Sequence, residues 1–347
     1  MPNFSEYDLV DAVAELSTVW GDSFPRRGSQ PKIKTIQALK DREIVDSETF
    51  SSPDTKHRKV VVRWLDSDCN TEASVCAAPA CDLAEGAVGD SGSATYEIQK
   101  CVSHLVQVKN QFTNSNLDRA ILIAEQLKKL DVILANKLNK VAIAFIHANI
   151  GANLLTYENL EGQAVYDGAT KLTTITTDYT KNDPAKWNSQ LMGYLNLAAE
   201  ESLQENPFVL DSSNFALDTI FALQGQQQEN FAAKKLMYDM FDFANDVKIN
   251  AEVAPLKMSY VIDPRSYAIP TENRFTATPT TNYNPQKTSY KVRSKVLPWV
   301  EIDITYQQVC VDGVYYDRFL GEIHYDMFNA PDICNTGTTG ILGFAKG

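Results

Sequence analysis

SNLDRAILIAEQLKKLDVILANKLNKVAIAFIHANI, residues 115–150, is the stretch on which the fold turns. Ile123, Leu127, Leu130, Leu134, Leu138, Val141 and Phe145 recur at three- and four-residue steps, the period of one helix face. Ser115 and Asp118 suit the start of such a helix, and Gly151 suits the position just past its end. Roughly 34 residues at ~1.5 Å rise make a rod of about 50 Å, well beyond the usual globular helix. The a/d heptad is broken and e/g charges are sparse. The pattern therefore predicts a strut packed on a sheet, not a coiled coil.

Upstream, residues 5–20 predict an amphipathic helix. Ser5 and Asp8 make a capping-box pattern, and Leu9, Val13, Leu16 and Trp20 share a face. The stretch to Asp22 carries Glu6, Asp8, Asp11, Glu15 and Asp22 and no base. From Arg26 to Lys40 the sign flips to Arg26, Arg27, Lys32, Lys34 and Lys40, with no acid. Pro25, Gly28 and Pro31 keep the join irregular. This block reads as an extended arm ending in a small helix. It is either a solvated terminus or an arm that crosses onto a neighbouring subunit. Lys59–Leu65 predicts a strand, and residues 66–94, rich in small and polar side chains, a long loop.

Downstream, Leu172–Thr177 alternates as a strand. Asp183 and Pro184 set the start of a helix running to about Glu205 through Trp187, Leu191, Tyr194, Leu195 and Ala198, and Pro207 follows it. Phe208–Leu210 predicts a short buried strand, Asn214–Leu223 a helix, Phe231–Met240 a helical or mixed stretch, and Val247–Val253 a strand. Met258–Ile262 predicts a strand and Thr271–Lys287 a loop. Ile302, Ile304 and Tyr306 alternate, and Gly313 marks a turn after which Tyr315–Tyr325 pairs back. The class is mixed α+β.

The chain has 347 residues, 44% of them hydrophobic and 22% charged, enough to bury a core. Lys plus Arg number 32 against 44 Asp plus Glu, a net charge of −12. That argues against a protein whose task is to coat nucleic acid, while allowing a local basic patch. The longest apolar run, Val141–Ile146, is too short to span a bilayer. The N-terminus lacks the basic and apolar regions of a secretory signal, so the expectation is a chain that starts near Met1 in a cytoplasm.

Several chemical motifs fail on inspection. Gly89-Asp90-Ser91-Gly92-Ser93 looks like a serine-protease nucleophile turn, with His57 upstream, but it lies too early in the chain. Asp66, Asp68 and Asn70 open like a calcium loop, yet Thr71 and Ala77 stand where glycine and glutamate are needed. Cys69, Cys76, Cys81, Cys101 and His104 are separated by six, four, nineteen and two residues. Free thiols are the expectation there, with a Cys76–Cys81 disulfide and zinc as the alternatives. The six cysteines, with Cys310 and Cys334, are no disulfide framework in a chain this long. His57, His104, His147 and His324 are scattered, and His147 lies near the long helix's C-terminus, where positive charge suits the dipole. No phosphate loop or dinucleotide fingerprint is present. The sequence therefore predicts no enzyme, no metal and no cofactor.

Three stretches resemble the major capsid proteins of tailed bacteriophages, the Hong Kong 97-type fold. Leu117–Ile150 is similar to that family's spine helix. Asp183-Pro184 through Pro207-Phe-Val-Leu210 to Leu223 is similar to the entry of its axial domain. Lys295–Tyr306, Cys310 and the ending Asn329–Phe344 form the third stretch, and the ending resembles those of capsid proteins of phages infecting Bacteroidetes-type bacteria. The resemblance implies an N-terminal arm with a short helix over 1–59 and a cysteine-rich extended loop region over 60–114. It implies the spine helix and peripheral domain over 115–182, an axial domain over 183–255, and a strand-rich part of both over 256–347. It also implies an icosahedral shell of pentamers and hexamers around double-stranded DNA, held without sequence-specific binding and without a membrane. The shell would assemble in a host cytoplasm and end in the virion. Scaffold, portal and decoration proteins are the further partners it implies. Leu9, Val13, Leu16, Trp20, Arg26, Arg27, Lys32 and Lys34 are then the expected inter-subunit residues. An encapsulin-type compartment, a tail or tube component, and an enzyme with a site assembled from distant residues are the alternatives.

Overall fold

The computed structural model describes residues 31–43, 47–50, 59–65, 91–109, 116–153, 164–175, 195, 197–202, 204, 206–212, 242–255, 257–277, 279–281, 287–329 and 338–346. In chain order come helix α1 (Lys34–Arg42), strands β1 (Ser47–Phe50), β2 (Lys59–Leu65), β3 (Ser91–Glu97) and β4 (Lys100–Lys109), and helix α2 (Asn116–Ala148). Strands β5 (Ala164–Asp167), β6 (Leu172–Ile175), β7 (Phe208–Asp211) and β8 (Asp242–Asn245) follow, then the one-turn helix α3 (Ile249–Glu252). The rest is strand: β9 (Met258–Ile262), β10 (Tyr267–Ala268), β11 (Thr271–Glu272), β12 (Thr280–Thr281), β13 (Lys287–Arg293), β14 (Glu301–Val311), β15 (Val314–Tyr325), β16 (Phe328–Asn329) and β17 (Ile341–Lys346). The class is α+β, and the residues fall into two compact units.

The first unit comprises the chain up to Gln37, Ile98–Val141 and Pro270–Asp326. Its sheet is built on β15. β14 pairs with β15 from Val311↔Val314 to Asp303↔Glu322, and β4 pairs with it from Lys109↔Tyr316 to Lys100↔Tyr325. β13 and β12 continue beyond β14, and β11 joins at Thr271↔Tyr325. The turn between β14 and β15 is made by Asp312 and Gly313, with φ of 50° and 78°. Two successive positive φ values match the twist of a tight hairpin, as the glycine at 313 predicts. The expected alternation in β14 holds: Ile302, Ile304 and Tyr306 are buried, with Phe319 and Ile323 of β15 and Val102 and Val106 of β4 on the same face.

Helix α2 lies against that face. A Cβ on Gly321 would stand 2.7 Å from Leu130 Cδ2, so the missing side chain lets helix and strand approach. Ile123, Leu127, Leu130, Leu134 and Leu138 are buried as the stripe predicts. Beyond Leu138 the stripe departs from expectation. Val141 and Phe145 are half-buried, while Ala142, Ile143 and Ile146 are buried. From Ala142 onward the helix counts with the second unit, while Val141 still counts with the first. Asp131 interrupts the apolar face. Its carboxylate accepts from Ser294 Oγ–H at 2.5 Å, Lys295 N–H at 2.8 Å and Val296 N–H at 3.3 Å, tying α2 to the link between β13 and β14. Burial holds its carboxyl above the usual range, and these donors offset part of that effect.

The second unit comprises Ala38–Glu97, Ala142–Ile269 and Met327–Gly347. Its main sheet runs β5-β6-β17-β9-β7-β8, with β6/β17 and β7/β8 parallel. Leu195, Ala198 and Ala199, from the helical stretch 195–201, pack with Val209, Val261, Leu342 and Phe344. On the opposite face a Cβ at Gly343 would meet Ile150 Cδ1 at 2.8 Å, and His147 Nδ1 lies 3.1 Å from the Tyr260 hydroxyl. A separate antiparallel sheet has the order β1-β2-β3. Leu39 C=O accepts from the Tyr267 hydroxyl at 2.7 Å, and the Arg42 guanidinium sits 5.0 Å over the Phe208 ring and bonds Asp242.

Four local expectations are corrected. Residues 91–94 are not loop: Ser91–Glu97 pairs with β2 from Ser91↔Leu65 to Glu97↔Lys59, a strand set by its partner rather than by its own small side chains. Val247–Val253 is not a strand. Asp246 accepts from Lys248 N–H at 3.0 Å, a local turn that leads into α3, and the strand is β8 just before it. The Thr271–Lys287 stretch contains β11 and β12 and ends in β13. Gly151 is not a left-handed helix stop. Its N–H donates to Ile341 C=O at 2.8 Å, and a Cβ there would lie 2.5 Å from Thr339 N, so close approach is what it provides. The helices expected over 5–20, 214–223 and 231–240, and most of the one expected over 184–205, lie outside the described residues.

Asp131→Ala should destabilise the chain by about 2 kcal/mol, because it leaves several donors without their acceptor. The shift of the urea midpoint measures it. His147 is the second test. The expected positive charge at the helix end is disfavoured, because burial holds its pKa below the ordinary 6.5. The unfolded chain then binds this proton more readily. Stability should rise with pH up to about 6.5 and level off above it. His147→Gln should flatten that part of the profile.

Candidate inter-subunit surface

Helix α1 starts without a usable cap of its own. Ile33 precedes it, and an apolar side chain cannot accept from the first-turn amides. Helix α2 supplies the acceptor. Asn139 Oδ1, buried, accepts from Ile36 N–H at 2.9 Å, and one turn earlier Asn136 Oδ1 accepts from Lys32 N–H at 2.7 Å. The segment is thereby laid along α2 with Ile33, Thr35 and Ile36 buried and Lys32 and Lys34 exposed. Of the expected inter-subunit residues these two are brought onto one surface. Leu9, Val13, Leu16, Trp20, Arg26 and Arg27 lie outside the described residues.

The outer side of α2 adds to this surface. Lys129, Asn136 and Lys140 stand at i, i+7 and i+11, and both lysines are exposed. Lys137 is exposed too, its ammonium bonded to the Ser103 carbonyl of β4. Glu125, one turn before Lys129, is the exposed acid at the end of the row. Reading only the apolar stripe misses this row, although the same seven- and four-residue steps mark it in the sequence.

The remaining candidates are structural. Cys101 and Cys310 are exposed free thiols; Cys69, Cys76, Cys81 and Cys334 lie outside the described residues. Asp303, buried, accepts from Arg274 N–H at 2.7 Å and Phe275 N–H at 3.3 Å, with His324 Nε2 3.7 Å away. These bonds hold the segment after β11 over the sheet, and burial raises the Asp303 carboxyl above its usual range. His104 has its pKa lowered by burial and by the Lys137 charge. Ser91 and Ser93 sit within β3 rather than on a nucleophile turn, and His57 lies outside the described residues. Among the described residues no group of three or more His, Cys, Asp or Glu could hold a metal, and no helix is long and apolar enough to cross a membrane.

No family model and no curated protein matches the chain. Solved structures are similar at low identity. A chain described as "Asymmetric unit of bacteriophage PhiM1 mature capsid" is 8% identical, with a TM-score of 0.45 over 83% of this chain and 82% of that one. A chain from Mycobacterium phage Bobi is 13% identical, with a TM-score of 0.44 over 96% and 98%. A chain described as "Cyanophage Pam1 capsid asymmetric unit" is 9% identical, with a TM-score of 0.40 over 83% and 84%. At these values the functional reading rests on this chain's own residues.

Asn139→Ala removes the acceptor that α2 lends to α1. It should cost about 1 kcal/mol, the scale of a lost helix cap. Amide hydrogen exchange at Ile36 should accelerate, while exchange in β14 and β15 stays as it was.

Proposed function

We propose that the chain is the major capsid protein of a tailed bacteriophage, of the Hong Kong 97-type fold. Copies assemble as pentamers and hexamers into an icosahedral shell around double-stranded DNA. The observation that supports this most is a basic segment laid along a helix of 33 residues. A closed shell needs heterologous contacts that close into rings. An arm, and a sheet such as β1-β2-β3, can bury surface on neighbours without a large core of their own. A helix of about 50 Å gives each subunit a stiff member. The net charge of −12 suits a shell that encloses DNA without gripping it. The ending 329–344 supports a phage of Bacteroidetes-type bacteria. Scaffold, portal and decoration proteins are its further partners, and the shell resides in the virion after assembly in the host cytoplasm.

Negative-stain electron microscopy of the full chain across a salt series tests this. Closed shells, or rings of five and six, are the expected outcome. A chain with the four substitutions Arg26→Gln, Arg27→Gln, Lys32→Gln and Lys34→Gln should keep its melting temperature and lose assembly. Normal shells from that variant would remove the arm from the contact. A compact monomer at every salt concentration, with or without candidate scaffold, would overturn the shell reading itself.

A further inference from the structure

Although the chain carries a net charge of −12, its charge is locally inverted on one surface. Residues 31–37 and 122–141 bring exposed Lys32, Lys34, Lys129, Lys137 and Lys140 together, with Glu125 the one exposed acid in those two segments. Lys34 lies between the two anchors on Asn136 and Asn139, and Lys140 follows Asn139 directly. Lys129 to Lys140 spans eleven residues of the helix, about 16 Å. The row is rigid because the helix beneath it is fixed by Leu130, Asp131 and Asn139, all buried.

The sequence holds a matching row of the opposite sign. Asp8, Asp11 and Glu15 follow one another at three and four residues, one face of the helix that the sequence predicts over 5–20, and Asp22 lies just past it. Leu9, Val13, Leu16 and Trp20 occupy the other face. A helix that buries its apolar face turns this acidic row outward.

We propose that the acidic row of residues 5–22 docks on the lysine row of α2 and the arm of a second copy of the chain. The inference rests on the shell reading, since it names the contact that one copy makes with the next. The contact is electrostatic and exposed at its rim. It weakens as salt rises and adds orientation and rate more than raw affinity. Lys32 and Lys34 then serve two purposes. Their backbone is held by α2 of their own copy, and their ammonium groups extend the row that receives the neighbour.

Charge reversal in two full-length variants tests the contact. One carries Lys34→Glu, Lys129→Glu and Lys140→Glu; the other carries Asp8→Lys, Asp11→Lys and Glu15→Lys. Circular dichroism melts establish that each folds. Assembly is read by light scattering and electron microscopy. Each variant alone should assemble about tenfold more slowly or worse, because like charges face each other across the contact. Mixing the two should restore assembly, since the reversed tail of one then meets the reversed row of the other, while the two unaltered partners also match. Rescue only when all six substitutions share one chain would overturn the proposal in favour of a contact within a copy. Unchanged assembly of either variant would overturn the contact and leave the shell reading intact. Defects that neither mixing nor combination repairs, with loss of binding to a DNA duplex by the lysine variant alone, would assign the row to DNA instead. A wild-type chain that never associates would overturn the contact and the shell reading together.

Discussion

The polar side chains on the buried side of α2 hold the first unit together. A 33-residue helix can cover apolar surface anywhere along its length, and apolar contact alone would let neighbouring segments slide. Asp131 and Asn139 prevent that. One fixes the link between β13 and β14 through three donors, and the other caps α1. Each is buried, so each donor that turns to it loses water and cannot leave cheaply. The helix therefore acts as a ruler: segments more than a hundred residues away are held at particular turns of it.

The sheets follow a different logic. β15 is paired along both edges, and its register with β14 is set at the Asp312–Gly313 turn, where two positive φ values admit little else. Once that hairpin is in register, Gly321 stands opposite Leu130 and the helix can sit down on the sheet. In the second unit, Gly343 and Gly151 provide the same kind of close approach against Ile150 and Thr339. These glycines give up side-chain contacts to let backbone and neighbouring groups come nearer than a Cβ would permit.

A surface of one sign on a protein of the other needs a reason in solubility and in association. Lysines at Lys129, Lys137 and Lys140 keep the exposed side of α2 wet, and the same charges give it direction toward an anionic partner. The buried acids Asp131 and Asp303 spend their lone pairs on backbone amides and, for Asp131, the Ser294 hydroxyl, which hold segments in place.

The sequence by itself determined the long helix, the strands at Lys59–Leu65, Phe208–Leu210, Met258–Ile262, Ile302–Tyr306 and Tyr315–Tyr325, and the turn at Gly313. In each case the information is local: a 3.6 or 2.0 period of apolar side chains, or a residue that tolerates positive φ. The change of charge sign between Glu6–Asp22 and Arg26–Lys40 was equally legible, because charge is counted along the chain. Tertiary structure decided the rest. β3 takes its form from pairing with β2, Val247–Val253 yields to a turn made by Asp246, and the end of the α2 stripe moves to Ala142, Ile143 and Ile146. Gly151 reads as a helix stop by position and turns out to be space for Thr339. The docking of Lys32 and Ile36 on Asn136 and Asn139 joins residues a hundred positions apart. No periodicity reports such a pairing, because it depends on which side chains the fold brings within hydrogen-bonding distance.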